Sequence, residues 1–149
     1  MQNSDFKIQN WLLALCIFNF AFLICGCSIP NLEKPQCIDA RESVKRFYSF
    51  HFGNEMRPSP EGLKLREPFL TPELFKSLSA SNDSTTDYFT KTETYPRAFR
   101  VAACKSDSAD KTDFQIQLLW RDEKASSQQN VQAEAVLSGD KWLISKVTN

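Results

Sequence analysis

Residues 114–120 read FQIQLLW, in which apolar side chains stand at every second position and glutamines separate the first three. Alternation with a period of two places successive side chains on opposite faces, so this stretch predicts a β-strand with one buried face. The same alternation recurs in residues 99–104, 131–137 and 142–147. Residues 138–141 read SGDK, which is typical of a tight turn, so the four strands are predicted to form an antiparallel meander.

A first helix is predicted upstream of the strands. Asp39 and Glu42 form a variant of the capping box, which favours a helix that begins at Asp39 and ends near Gly53. The apolar face of this helix follows a helical spacing and carries Ala40, Val44, Phe47, Tyr48 and His51. The helix is therefore amphipathic and needs an apolar surface to cover it.

A second helix is predicted from Thr71 to about Ala80. Thr71 can cap it, Pro72 suits the first helical position, and Glu73 favours the positive end of the helix dipole. Residues 61–66 are compatible with either a helical turn or a short strand. Helices followed by four antiparallel strands predict an α+β fold in which the helices cover one face of the sheet.

The N-terminal segment is predicted to be an export signal. Residues 11–25 are apolar except for Asn19, and this length is below the roughly 20 residues that a transmembrane helix needs. The following Ile24-Cys25-Gly26-Cys27 resembles the bacterial lipobox, which implies cleavage after residue 26 and acylation of Cys27 by chains such as palmitate. A retained helical anchor and simple secretion are the alternatives.

The lipobox resemblance implies a location in the cell envelope. Lipid on Cys27 would attach the protein to a membrane, and Ser28 resembles the residue that allows transport to an outer membrane facing the periplasm. Residues 27–37, with two prolines and no periodicity, are predicted to be a lipidated tether. Residues 38–149 are then predicted to form one domain of common size.

Cleavage after residue 26 would remove Cys16 and Cys25, and Cys27 would carry the lipid. Two cysteines of the exported chain then remain. In an oxidising compartment Cys37 and Cys104 are predicted to form a disulfide, with two free buried thiols as the alternative. Their spacing fits neither a redox nor a zinc motif, and the chain has one His. We therefore expect no metal site.

Charge and composition narrow the class of protein. The chain has 18 basic and 18 acidic residues, and nucleic-acid binding needs a basic excess. With 42% hydrophobic and 24% charged residues, the composition is that of an ordinary globular protein. The four glycines form no phosphate-binding loop.

Several local patterns resemble a known family when they are taken in order. They are Pro35-Gln36-Cys37, Phe47-Tyr48, residues 69–74 (FLTPEL), residues 87–90 (DYFT), residues 95–101 (YPRAFRV) and Trp142. The chain resembles uncharacterised bacterial lipoproteins of the YbjP/YqhG type, although Tyr88 stands where that family often has proline. The first helix and the final hairpin also resemble the nuclear-transport-factor-two-like (cystatin-like) superfamily. This resemblance implies a cone-shaped fold with a curved sheet and a periplasmic role beside envelope transport or efflux machinery.

No catalytic residue, metal or cofactor is predicted. His51, Tyr48, Trp120 and Trp142 are candidates for a pocket or its rim, although a lone His on an apolar helix face is more often a packed residue. Asp87 is expected to cap a turn rather than contact a ligand, and Glu134 to lie on a solvated strand face. Arg97 and Arg100 with Phe99 are either a basic and aromatic contact patch or scattered surface charge.

These observations predict a non-enzymatic, lipid-anchored envelope protein that docks onto another envelope protein as an accessory subunit. The alternative is a periplasmic module that binds an apolar or lipid-like small molecule, because folds of this type are often hollow. An enzyme would need two ionisable groups that converge inside the domain. The sequence leaves the oligomeric state, the partner and the organism open.

Overall fold

The computed structural model describes residues 32–81, 85–121 and 126–149, and within it Glu33–Asn149 form one compact unit. The predicted signal peptide and the predicted acylation of Cys27 lie outside the described residues, as do residues 27–31 of the predicted tether. The order of elements within the unit is helices first and strands afterwards.

The helical part contains three α-helices and one 3₁₀-helix among the described residues. They are α1 (Pro35–Gly53), α2 (Pro60–Arg66), the 3₁₀-helix (Glu67–Phe69) and α3 (Pro72–Ala80). The sheet follows as β1 (Ala98–Ser108), β2 (Lys111–Arg121), β3 (Ser126–Ser138) and β4 (Lys141–Thr148). Its order is β1-β2-β3-β4 and every pair is antiparallel, which confirms the predicted α+β fold with a four-stranded meander.

The start of α1 differs from the prediction. The helix begins at Pro35 after Lys34, whose side chain makes no capping bond, so the predicted cap at Asp39 is wrong. Proline is pre-organised for the first helical position and needs no hydrogen-bond partner there, which explains the earlier start. Cys37 consequently lies in the first turn of α1 rather than in a tether.

The stretch that the sequence left undecided is the helix α2. Ser59 caps it by accepting a hydrogen bond of 3.0 Å from the N–H of Gly62. The predicted cap of α3 is confirmed, because the Thr71 hydroxyl accepts a bond of 3.2 Å from the N–H of Leu74. In the predicted turn between β3 and β4, Gly139 takes a positive φ of 64°, which glycine adopts without strain.

The strands are longer than predicted, because their polar ends also pair. Residues 105–108 continue β1 and residues 126–130 begin β3, although the predicted alternation covers only residues 99–104 and 131–137. Polar residues on both sides give no alternation that marks such ends. The β2–β3 register is continuous, whereas β1 contains a bulge between Val101 and Cys104.

The core lies between α1 and one face of the sheet. The face of α1 that includes Val44, Phe47 and Tyr48 is fully buried, as predicted. It packs against the inward-facing row of the strands, which consists of Phe114, Ile116, Leu118, Val131, Ala133, Ala135, Ile144 and Val147. These side chains fill the space between the helix and the sheet.

Two contacts attach the first turns of α1 to β1. Cys37 and Cys104 form a disulfide with a Cα–Cα distance of 5.9 Å, the pairing that was predicted against two free thiols. Nη1 of Arg41 donates to the carbonyl oxygens of Val101 and Ala102 at 3.0 and 2.9 Å. The guanidinium thus satisfies two carbonyls where the bulge interrupts the ladder.

Candidate functional site

Three polar side chains meet in the interior beside the C-terminal half of α1. His51 on α1, Arg66 at the end of α2 and Asp87 in the segment before β1 each expose no more than 3% of their surface. Nε of Arg66 lies 2.8 Å from Nδ1 of His51, and Nε2 of His51 lies 2.8 Å from Oδ2 of Asp87. We call these three residues the buried polar cluster.

Backbone carbonyls hold Arg66 in place. Its Nη1 donates to the carbonyl oxygen of Gly62 at 2.6 Å, and its Nη2 donates to that of Glu55 at 2.8 Å. Since Gly62 also bonds the capping Ser59, the short helix α2 and the position of the guanidinium depend on one another. Burial lowers the pKa of Arg66 and the charge of Asp87 opposes this, but a guanidinium stays protonated in proteins.

A tight turn holds Asp87. Its Oδ2 accepts bonds from the N–H and the hydroxyl of Thr90 at 3.1 and 2.7 Å, and its Oδ1 accepts one from the N–H of Phe89 at 3.2 Å. Burial alone would raise the pKa of Asp87. Hydrogen bonds from His51, Thr90 and Phe89 outweigh burial, so this pKa lies below its usual range.

The partners of His51 determine which of its nitrogens carries the proton. An arginine can only donate, so Nδ1 of His51 must be the unprotonated nitrogen that accepts from Arg66. Nε2 then carries the hydrogen and donates to Asp87. A neutral imidazole therefore lies between a guanidinium and a carboxylate, and the two charges balance inside the domain.

Aromatic rings surround the cluster and exclude water from it. The ring of Phe47 lies nearly parallel to that of His51 at 5.9 Å, and the ring of Phe89 lies edge-on at 5.2 Å. The Tyr48 hydroxyl donates to the carbonyl oxygen of Phe89 at 3.1 Å. Burial, with a smaller contribution from the charge of Asp87, raises the pKa of Tyr48 far above its usual value, so its phenol is a neutral donor.

The geometry limits the chemistry of this cluster. Both ring nitrogens of His51 bond to protein partners, and only 1% of the residue is exposed. Every buried side-chain nitrogen or oxygen of the described residues has a hydrogen-bond partner. The cluster thus joins α1, α2 and the turn at Asp87.

His51 and Tyr48 were predicted at a pocket or its rim, but the structure buries both in the packed interior.

The two tryptophans of the predicted pocket lie in separate surface grooves. The first groove, of about 650 Å³, runs between α1, the 3₁₀-helix and the β3–β4 hairpin, and Trp142 lines it with Phe69 and Leu137. The second, of about 560 Å³, lies where β2 ends and β3 begins, and Trp120 lines it with Tyr95. We call them the Trp142 groove and the Trp120 groove. Neither includes a residue of the buried polar cluster.

The remaining charged candidates lie at the surface. Arg97 lines the Trp120 groove, whereas Arg100 is exposed on β1 opposite Gln117. Glu134 is half-buried rather than fully solvated, because it accepts from Nζ of Lys111 at 2.5 Å and from the hydroxyl of Ser145 at 2.6 Å. Asp87 caps its turn as predicted and additionally bonds His51.

Sequence reasoning missed Arg66, which completes the cluster. The signal that could have found it is Ser59-Pro60-Glu61, which repeats the pattern of cap, proline and acid seen at Thr71-Pro72-Glu73. That repeat predicts a helix after Ser59 and places Arg66 at its end.

Two further findings concern the described part of the chain. No group of three or more His, Cys, Asp or Glu side chains within it could hold a metal ion. No helix among those residues has the length and hydropathy needed to cross a membrane.

Comparisons with known proteins leave the family open. No family model and no curated protein matches the sequence. Among solved structures, the chain is similar to a protein of unknown function from Bacteroides thetaiotaomicron, at 13% identity and a TM-score of 0.46. The similarity covers 74% of this chain and 89% of that one, and at this TM-score it carries no argument.

Proposed function

We propose that the protein is a non-enzymatic, lipid-anchored envelope protein whose folded domain docks onto another envelope protein as an accessory subunit. The lipobox-like sequence before Cys27 supports the anchor, and Ser28 supports an outer membrane facing the periplasm. The compact unit begins at Glu33, so residues 28–32 span less than roughly 20 Å even when fully extended. Such a tether holds the domain close to the membrane surface.

The observation that carries the docking proposal is the filled interior. Phe47, Tyr48 and the inward row of the sheet occupy the space that a hollow cone would offer to a ligand. Both ring nitrogens of His51 form hydrogen bonds within the protein, one with Arg66 and one with Asp87. Recognition then falls to the surface, where a protein partner is the natural occupant.

We also infer the finer fold and the family. A helix that carries Phe47 and Tyr48 onto an antiparallel sheet supports the cone-shaped, nuclear-transport-factor-two-like architecture. The ordered motifs of the sequence support membership of the YbjP/YqhG type of bacterial lipoproteins. The resemblance carries with it a role beside envelope transport or efflux machinery.

The anchor is tested by metabolic labelling of the full chain with an alkyne-bearing fatty acid. The wild type should incorporate the label, and Cys27→Ala should lose it. Cys25→Ala is the matched control, because a small residue at that position suits a lipobox. Intact-mass analysis should show acylated Cys27 as the N-terminus, and a labelled Cys27→Ala chain would contradict the anchor.

Docking is tested by placing a photoreactive amino acid at exposed positions over the whole domain in living cells. We expect adducts with one envelope protein, clustered on one face of the domain. Adducts from no position, with the monomer alone recovered, would contradict the docking function.

The Trp142 groove supports a second function, the binding of an apolar small molecule. Its volume of about 650 Å³ falls within the usual range of ligand pockets, and Phe69, Leu137 and Trp142 give it one apolar wall. Most of the remaining lining is polar and includes Arg46 and Lys141, which suits a lipid-like ligand with an acidic head group. Titration with a medium-chain fatty acid should then change the fluorescence of Trp142 saturably, and Trp142→Phe should remove the change. A titration without a saturable change would contradict this second function.

A further inference from the structure

β3 extends beyond the strand that pairs with it. It runs from Ser126 to Ser138, but β4 pairs with it only from Gln132 to Ser138. Residues 126–130 are therefore paired with β2 on one side alone. Among the described residues, no other backbone group bonds to their second side.

The register shows which backbone groups face this unpaired side. The N–H of Leu137 donates to the carbonyl of Asp110, so Leu137 directs its backbone groups toward β2. Adjacent residues of a strand direct their N–H and C=O to opposite sides, and the β2–β3 pairing has no register shift. Ser126, Gln128 and Asn130 therefore direct their N–H and C=O groups away from β2. We call these groups the free β3 edge.

Some positions on the outer strands β1 and β4 carry contacts that the free β3 edge lacks. On β1, Lys34 donates to the carbonyl of Ser106 at 2.8 Å, close to where Arg41 covers the bulge. On β4, the N–H of Thr71 donates to the carbonyl of Ile144 at 2.9 Å. Unpaired edges are usually protected by lysine, proline or a bulge, and residues 126–130 have none of these.

The Trp120 groove adjoins the free β3 edge, since Ser127, Gln128 and Gln129 line it. Its other walls contain Arg97 and Arg121, and neither guanidinium pairs with a carboxylate of the described residues. Arginine, tyrosine and tryptophan are the residues that most often dominate binding at protein interfaces. Within residues 32–81, 85–121 and 126–149, two cations without a carboxylate partner lie beside Tyr95 and Trp120 and favour an acidic partner.

We propose that the free β3 edge accepts an extended acidic segment of the partner protein as an added strand. The backbone of that segment pairs with Ser126, Gln128 and Asn130, and its Asp or Glu side chains reach Arg97 and Arg121 in the Trp120 groove. This inference rests on the proposed docking function and names its surface and the chemistry of its partner.

The free β3 edge lies at the end of the sheet opposite to the start of the domain. Lys34, at the start of the domain, contacts Ser106 near the end of β1 that adjoins Lys111. Residues 126–130 pair with the opposite end of β2, at Arg121. A strand of this length spans roughly 35 Å, so the added segment would pair at the end of the sheet remote from Lys34.

The experiment places a photoreactive amino acid at Ser127 in the full, anchored chain in cells and sequences the cross-linked peptide. Gln128→Pro removes one N–H of the free edge without breaking the β2 ladder, because that N–H faces away from β2. We expect Gln128→Pro to lower the adduct yield by about tenfold or more, since strand addition depends on backbone bonds. Gln128→Ala keeps the N–H and should change the yield by less than about twofold.

A second pair of variants tests the charge. Arg97→Glu with Arg121→Glu should lower the adduct yield by about tenfold or more, because it opposes an acidic segment. Arg57→Glu with Lys76→Glu makes the same change of net charge at exposed positions elsewhere and should leave the yield within about twofold. Circular dichroism melts of all four variants report whether each one folds.

Each outcome supports or overturns the inference. A cross-linked peptide rich in Asp or Glu, lost in folded Gln128→Pro and in the double arginine variant, supports it. An adduct that persists in either folded variant, a peptide without acidic residues, or a second copy of this chain overturns it. Adducts that form only from other faces overturn the inference and leave the docking function standing, whereas adducts from no position contradict the docking function itself.

Discussion

Asp87 holds together the only charge pair that the described residues bury in their interior. It accepts four hydrogen bonds and balances Arg66 across the neutral ring of His51. Asp87→Ala would leave the guanidinium buried without a counter-charge, so we expect a loss of about 3–5 kcal/mol in the free energy of unfolding. Urea denaturation measures this loss. Asp107→Ala, at an exposed position, should change the free energy by less than about 0.5 kcal/mol, and equal losses would contradict the role of the cluster.

The pH dependence of stability follows from the same carboxylate. The pKa of Asp87 is lower in the folded domain than its usual value of 3.8, so its contribution is present above that value. The contribution is lost as the pH falls through the folded pKa. We expect the urea midpoint of the wild type to fall in this acid range and that of Asp87→Asn to fall less. Parallel pH profiles of the two proteins would contradict the assignment.

For single residues, the sequence predicts which face of a helix is buried better than it predicts hydrogen-bond partners. The helical spacing that places Tyr48 and His51 on the buried face of α1 predicted their burial. Asp87 lies 36 positions away and Arg66 lies 15 positions away, and no periodicity connects them to His51. The cluster arises from the tertiary arrangement of three segments, which local patterns do not encode.

A covalent bond attaches the element α1 to the element β1. The Cys37–Cys104 disulfide closes a loop with a sequence separation of 67, which corresponds to about 4 kcal/mol in the chain-entropy treatment. We expect the double variant Cys37→Ala with Cys104→Ala to lose a free energy of unfolding of this order. Wild-type protein treated with reductant provides the comparison, and a loss below about 1 kcal/mol would contradict a stabilising role.

The starts of the helices show what local sequence signals can predict. Thr71-Pro72 predicted the start of α3 correctly, and the same reasoning applied to Ser59-Pro60 would have predicted α2. The start of α1 was predicted too late because the pair Asp39 and Glu42 imitates a cap on the exposed side of a helix that is already formed. Proline at the first helical position is the signal common to all three helices.

For the whole domain, one continuous core predicts one unfolding transition. Trp142 at the start of β4 and Trp120 near the end of β2 lie toward opposite ends of the sheet, and both pack against the same core cluster. In a chain that lacks residues 1–27, and hence Trp11, we expect Trp120→Phe and Trp142→Phe each to unfold with coincident fluorescence and circular dichroism transitions. Separate transitions in either variant would contradict a single cooperative unit.

The class of fold was predictable because period-two alternation in four segments after helical segments admits few arrangements. The grooves and the free β3 edge were not predictable. The free β3 edge depends on the relative lengths of β3 and β4, and the polar residues 126–130 carry no alternation that marks them as strand. Surface features of this kind follow from the register of the sheet.

The disulfide between α1 and β1 has a consequence for the order of events in the proposed export. A chain that emerges N-terminus first would present the thiol of Cys37 long before Cys104 follows, 67 positions later. In that interval Cys27 would be the nearest thiol in the sequence, and thiols that are close along the chain readily exchange. Acylation of Cys27, as we propose it, would convert its sulfur into a thioether and would leave Cys37 with its native partner alone.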